Sequence, residues 1–230
     1  MVELFNSVKD IDHPIVLHIH TIKGKGLPYA ESNTHIALCD IQLFAHIPNM
    51  IYLAPASKEE YFQMFKFATS QKEHPVGIRV PGNMIETGVE DTTDYSKYNK
   101  NKIEQKGTKV ALFAVGVLMP TAKEVAKKVK KDTGIDITVI NPRFLTGLDE
   151  ELLNKLKEEH KLVVTMEDGE LMGGYGQNIA SYYGNTDMKV QNYGISKAFH
   201  TDFETDKLLE ENGISVENLA NIIEANIENK

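Results

Sequence analysis

The chain has 230 residues, 41% hydrophobic and 25% charged, with a formal net charge of -8. That composition is ordinary for a globular protein and excludes a fibrous or disordered chain; its acidic balance excludes a nucleic-acid footprint, which needs clustered Lys and Arg against phosphates. The single cysteine, Cys39, excludes an intrachain disulfide framework, no apolar run approaches the ~20 residues of a spanning helix, and MVELFNSVKDIDHP does not read as a signal peptide, so a reducing, cytoplasmic setting without membrane contact is expected.

In chain order, Ile15 to His20 reads as a short buried strand that ends in the loop Gly24-Lys25-Gly26. A second strand runs from Met50 to Ala54. Ser57 then offers an N-cap, with Glu60 three residues on to close a capping box. Tyr61, Met64, Phe65 and Ala68 recur at helical spacing, which predicts a helix to about Gln71. Pro75 to Val80 reads as a third strand, stopped by Pro81 and Gly82. From Asn83 to Lys106 the chain is polar and lacks sustained periodicity, so it reads as a linker with one short strand.

The pattern changes at Lys109. VALFAVGV reads as a buried strand and Pro120 stands near the start of a helix, whose apolar face is Val125, Ala126 and Val129 and whose end is Gly134. IDITVIN is a strand. Asp149 caps a helix to Glu159, with Leu152, Leu153 and Leu156 on one side. KLVVTMED is a strand, Gly173-Gly174-Tyr175-Gly176 opens a helix to about Tyr183, MKVQNYGI is a strand, and Ser215 caps a last helix over VENLANIIEANI. This alternation predicts a mostly parallel sheet covered on both faces. The run Lys123, Lys127, Lys128, Lys130 and Lys131 reads as the polar face of its helix. The first hundred residues hold too few elements to wrap a sheet and look incomplete as a domain.

Several stretches carry a resemblance in a fixed order. LHIHTIKGKGLPYAE, THIALCDIQLFAHIPNMIYLAPASKEEYFQMFKFA, HPVGIRVPGN, GTKVALFAVGVLMPTAKEVA, INPRFLTGLDEELL and VVTMEDGELMGGYGQNI together resemble the 1-deoxy-D-xylulose-5-phosphate synthase family, which is transketolase-like and uses thiamin diphosphate. The resemblance implies an α/β protein: a mostly parallel, three-layer transketolase C-terminal domain at 107–230, preceded by an incomplete α/β pyrimidine-binding domain at 34–82. Residues 1–33 are the remnant of the first thiamin-diphosphate domain and 83–106 the linker. In the family the GKG loop and the Thr34-His35 segment lie in different domains. Here they meet across Ala30 to Asn33, as if the first half of the pyrimidine domain were left out.

The implied reaction joins pyruvate to glyceraldehyde 3-phosphate with loss of carbon dioxide, in a homodimer that uses thiamin diphosphate and magnesium. Lys23 matches a cofactor-facing lysine, His35 a catalytic histidine, and Arg79 an arginine that holds the sugar phosphate. Departures from the pattern accompany the last two matches: Ala37 stands where the family has glycine, and Gly82 where it has a second arginine. Two family motifs are absent from the sequence: the Gly-Asp-Gly…Asn segment that holds the metal, and the Glu-Gln-His segment whose glutamate activates the cofactor. The chain alone is therefore expected to be inactive and not to bind the cofactor. The competing reading is a non-catalytic dimerisation or regulatory module.

Three further groups are weighed and discounted. Gly173, Gly174 and Gly176 before a helix resemble a phosphate-cradling turn, but the spacing is not GxGxxG. Glu167, Asp168 and Glu170 have metal-ligand chemistry, yet read as a strand end. His18 and His20 share a strand face without a third ligand. No metal site is expected from this sequence.

Overall fold

The computed structural model describes residues 38–80, 86–88, 90–198, 200 and 204–228. The strand expected at Ile15–His20, the GKG loop, the junction at Ala30 to Asn33, Lys23 and His35 lie outside them. The described chain opens with a short helix, α1 (Asp40–Phe44), followed by β1 (Ile51–Leu53), α2 (Lys58–Ser70) and β2 (Val76–Ile78). β1 and β2 pair in parallel, Ile51 with Val76 and Leu53 with Ile78, so the three elements form one βαβ unit. The expected capping box is built with a variation. Ser57 Oγ accepts from Glu60 N at 3.1 Å, but the Glu60 carboxylate reaches back one residue further, to Ala56 N at 2.9 Å. Met64 and Ala68 point inward, and Phe67, Val76 and Ile78 pack around a small core of Ile51, Leu53, Met64, Tyr95 and Phe144.

The second body is a five-stranded sheet: β3 (Lys102–Gln105), β4 (Lys109–Ala114), β5 (Thr138–Asn141), β6 (His160–Glu170) and β7 (Lys189–Ile195), in the order β3-β5-β4-β6-β7. All neighbours are parallel except β3, which runs antiparallel to β5. β3 is the short strand expected within 83–106, and it forms an edge of this sheet. The helices are α3 (Met119–Thr133), α4 (Glu150–Glu159), α5 (Tyr175–Tyr183), α6 (Thr205–Glu211) and α7 (Val216–Glu228). Gly134 ends α3 in the left-handed region at φ 74°, as a helix-terminating glycine does. Asp149 Oδ1 accepts from Leu152 N and caps α4. α1 and α6 were not foreseen: 5 and 7 residues show too little of a 3.6-residue period to be read from sequence.

Side chains alternate along β4 and divide the core. Val110, Leu112 and Ala114 face α3 and α7, against Ala122, Val125, Val129, Leu219 and Ile223. Ala111 and Phe113 face the other way, against Leu153 and Leu156 of α4 and Tyr175, Ile179 and Tyr183 of α5. Both sheet faces are thus covered, giving three layers. Each fully buried Phe or Leu contributes on the order of 2 kcal/mol through apolar burial.

The two bodies share an interface. Ile41, Tyr52 and Ala54 complete the apolar layer that holds Phe113 and Tyr175. The loop after β5 clips antiparallel onto β1: Ala54 N donates to Arg143 O and Leu145 N to Tyr52 O, both at 2.8 Å. Arg143 sits at φ 62°, where an L-residue is strained by about 1–2 kcal/mol. Its guanidinium offsets this by donating to Thr93 Oγ1 and to Lys100 O while lying over the Tyr95 ring. That arginine ties down much of the polar stretch before β3.

Candidate functional site

Polar side chains converge where β2 and β6 end. Arg79 follows the last residue of β2, and Arg79 N donates to Leu53 O at 2.8 Å, which fixes the root of its side chain. The guanidinium extends between two carboxylates. Nε donates to Asp40 Oδ2 at 2.6 Å and Nη2 to Asp40 Oδ1 at 3.2 Å, a fork-on-fork pair. Nη1 donates to Asp168 Oδ1 at 2.5 Å. Asp40 also accepts from the Tyr52 hydroxyl at 2.5 Å. Burial alone would lower the Arg79 pKa, but the charges of Asp168 and Asp40 outweigh it and raise it further, so the guanidinium stays charged. Burial, and then the Asp40 charge, hold the Tyr52 hydroxyl protonated.

The next residue along β6 does a different job. Glu167 is 1% exposed and turns to the N-terminus of α5, where its carboxylate accepts from Tyr175 N at 2.9 Å and Gly176 N at 3.0 Å. Those free N–H groups and the helix dipole favour an anion. The protein supplies its own, and a Cβ at Gly174 would collide with that carboxylate. The glycine-rich turn is therefore built for close approach to Glu167. Burial pushes the Glu167 pKa up to about 7, against the lowering effect of the two backbone N–H groups and of Arg79.

Of the expected site residues, Arg79 is the one within the described part; Lys23 and His35 are not. Sequence reasoning found Arg79 and the Glu167-Asp168 pair separately and did not join them. It missed Asp40 and Tyr52. Asp40 closes the Thr34-His35-x-x-x-x-Asp40 segment, so its position was legible but its partner, 39 residues away, was not. Glu167, Asp168 and Glu170 do not converge: they turn respectively to α5, to Arg79 and to Cys39, whose Sγ lies 3.2 Å from Glu170 Oε2. Among the described residues no group of three His, Cys, Asp or Glu side chains is placed to hold a metal. Arg79 is already matched by two carboxylates, so an incoming phosphate meets net negative charge unless one of them gives way. The described residues do not fit a metal-diphosphate group.

Among the described residues no helix is long and apolar enough to cross a membrane. The chain is 32% identical over 201 residues to the 1-deoxy-D-xylulose-5-phosphate synthase of Clostridium tetani, covering 86% of this chain and 32% of that one. It is 30% identical over 236 residues to the synthase of Francisella philomiragia, covering 99% and 37%. The chain thus spans about a third of the length of these relatives. Among solved structures, a split-gene transketolase described as an inactive β4 tetramer superposes with a TM-score of 0.73 at 24% identity, over 84% of this chain and 62% of that one. Transketolase from Campylobacter jejuni gives 0.63 at 21%, over 85% and 29%. These two likenesses speak for the fold. The family model of the transketolase C-terminal domain matches residues 99–219, more than half of the chain and nearly all of the five-stranded sheet with its helices, and the chain belongs to that family.

Proposed function

We propose that the chain serves in a 1-deoxy-D-xylulose-5-phosphate synthase, the decarboxylating condensation of pyruvate with glyceraldehyde 3-phosphate that leads to isoprenoid precursors and thiamin, and that on its own it does not turn over. The carrying observation is the alignment of 99% of the chain with a synthase at 30% identity. In this reading the intact assembly is a homodimer inside the cell and uses thiamin diphosphate with magnesium. Lys23 is matched to the cofactor, His35 to a hydrogen bond with pyruvate or an intermediate, and Arg79 takes the sugar phosphate once Asp168, the more exposed of its two carboxylates, moves aside. The inactivity of the chain alone is supported by the two motifs missing from its sequence and by the pairing of Arg79.

The test mixes the purified chain with thiamin diphosphate, magnesium and both substrates and follows carbon dioxide release. The expected result is no product above the blank and no magnesium-dependent micromolar binding of thiamin diphosphate, about -8 kcal/mol, by calorimetry. Turnover by the chain alone overturns the inactivity.

A second reading, a non-catalytic dimerisation or regulatory module, is favoured by the complete three-layer body and by a neighbour described as an inactive tetramer. Adding, in trans, a synthase segment that carries the metal motif and the activating glutamate separates the two. Restored product supports the enzyme reading, and association without product supports the module.

A further inference from the structure

His160 opens β6 directly behind the last residue of α4, and its side chain is buried. Its Nδ1 lies 3.1 Å from Leu156 O, a carbonyl that can only accept, so Nδ1 carries a proton. Its Nε2 lies 2.8 Å from Thr138 Oγ1 on β5. The same Oγ1 accepts from Gly107 N at 3.0 Å and lies 2.9 Å from Gly107 O, in the turn between β3 and β4. That turn sits close against the chain leading into β5. A Cβ at Gly107 would collide with the backbone of Asp136 and Ile137, and Thr108 N donates to Asp136 O at 2.8 Å.

With a neutral imidazole this cluster is one proton short. Nδ1 holds the ring's single proton, so Nε2 is a bare acceptor, and Gly107 O is a second. Thr138 has one hydroxyl proton to give to the two of them. Charging the ring supplies the missing proton. Nε2–H then donates to Thr138 Oγ1, which still accepts from Gly107 N, and the hydroxyl proton goes to Gly107 O. Exposure decides which acceptor is left out in the neutral state. Nε2 is buried, and among the described residues no other donor reaches it, whereas Gly107 is partly exposed and its carbonyl can turn to water.

We propose that His160 and Thr138 form a proton-operated clasp on the β3–β4 turn. With the ring neutral, Thr138 donates to His160 Nε2 and Gly107 O is released to solvent. With the ring charged, Thr138 turns to Gly107 O and ties the turn to β5. Burial holds the ring's pKa below its ordinary 6.5, against the raising effects of the Leu156 carbonyl and of the Glu159 charge. The other charged side chains on the elements around it are Lys157 and Glu158 in the last turn of α4, Lys161 next along β6, Lys109 opposite His160 on β4, and Lys106 and Asp136 at the turn. The lysines and Glu158 are exposed, and Asp136 pairs with Lys130 at 2.9 Å. β3 is the antiparallel edge strand of the sheet, so the clasp makes the attachment of that edge respond to acidification. The clasp belongs to the five-stranded body and holds whether or not the chain serves in a synthase.

NMR on the full chain tests it, with the imidazole nitrogens and the Gly107 carbonyl carbon followed from about pH 8 to about pH 4. At the alkaline end His160 is expected as the Nδ1–H tautomer. On acidification both ring nitrogens are expected to move to the imidazolium range with a midpoint below 6.5. The Gly107 carbonyl carbon is expected to shift downfield with the same midpoint, as it gains a hydrogen bond. His160→Gln and Thr138→Val should each abolish that shift, and Thr138→Ser, which keeps the hydroxyl, should retain it. An Nε2–H tautomer at neutral pH, a ring that stays uncharged to the acid limit, or a Gly107 carbonyl that does not follow the His160 midpoint would each overturn the clasp. These three readings come from the wild type, so they stand even where a variant fails to fold.

Discussion

The five-stranded body and the βαβ unit before it use the same elements to different effect. In the first, Leu112 and Phe113 are adjacent in β4 and each is fully buried, one under α3 and α7, the other under α4 and α5. In the second, two strands of three residues carry a helix of 13, and that helix leaves two phenylalanines in solvent. The difference lies in how many apolar faces are closed. A sheet flanked on both sides closes most of its apolar surface with its own helices, whereas the βαβ unit is joined to the rest through the clip from 143–145 and the Arg79 network.

Six substitutions sharpen or break that contrast. Phe113→Ala empties a filled layer and is expected to cost ~3–5 kcal/mol, shifting the whole urea transition. Met64→Ala, in the small core, is expected to cost about 2–4 kcal/mol, with increased exchange confined to residues 38–80. If both variants shift one common transition equally, the two bodies fold as one unit and the contrast fails.

Arg79→Met leaves the buried Asp40 and the partly buried Asp168 without their cation and is expected to cost about 3 kcal/mol. Adding Asp40→Asn should recover part of it, since one of the two uncompensated charges then goes. Matched denaturation curves for the single and double variants check this.

The pH response comes next. The Glu167 pKa stands near 7 in the folded chain against an ordinary 4.5, so between those values the folded state holds a proton that the unfolded state has released. Stability is therefore expected to fall as pH rises from about 4.5 to 7, by on the order of 2 kcal/mol from this group. Glu60, also raised by burial, adds in the same direction. Glu167→Gln should flatten the slope of urea midpoint against pH without abolishing it; an unchanged slope would remove Glu167 from the account.

The smallest effect is local. Ser57→Ala removes the cap of α2 and is expected to cost about 1 kcal/mol, detectable as faster exchange at Glu60 N.

The strands and longer helices of the second body were legible because their apolar residues repeat with a clear period and their ends carry Pro120, Gly134, Asp149 and Ser215. The antiparallel setting of β3 was not, because KIEQ is polar on an edge and its direction is decided by β5. The site was half legible. Arg79 was found from its motif, but its partners come from α1 and β6, and ion pairing across 39 and 89 residues leaves no periodic mark in the chain. Glu167 was read as a strand end. It differs from its neighbour Asp168 only through strand alternation, which sends one carboxylate to a helix terminus and the other to a guanidinium.

The clip on β1 has a consequence for the order of events during synthesis. β1 finds β2 within 25 residues, a local closure, but Leu53 waits for Phe144, about ninety residues later. A chain emerging from the ribosome at 5–20 residues per second makes that interval several seconds long, on the order of 5–20 s. For that time one side of β1 is open to solvent while the five-stranded body is still being made. The βαβ unit is thus made before the five-stranded body and is completed only once Phe144 has emerged.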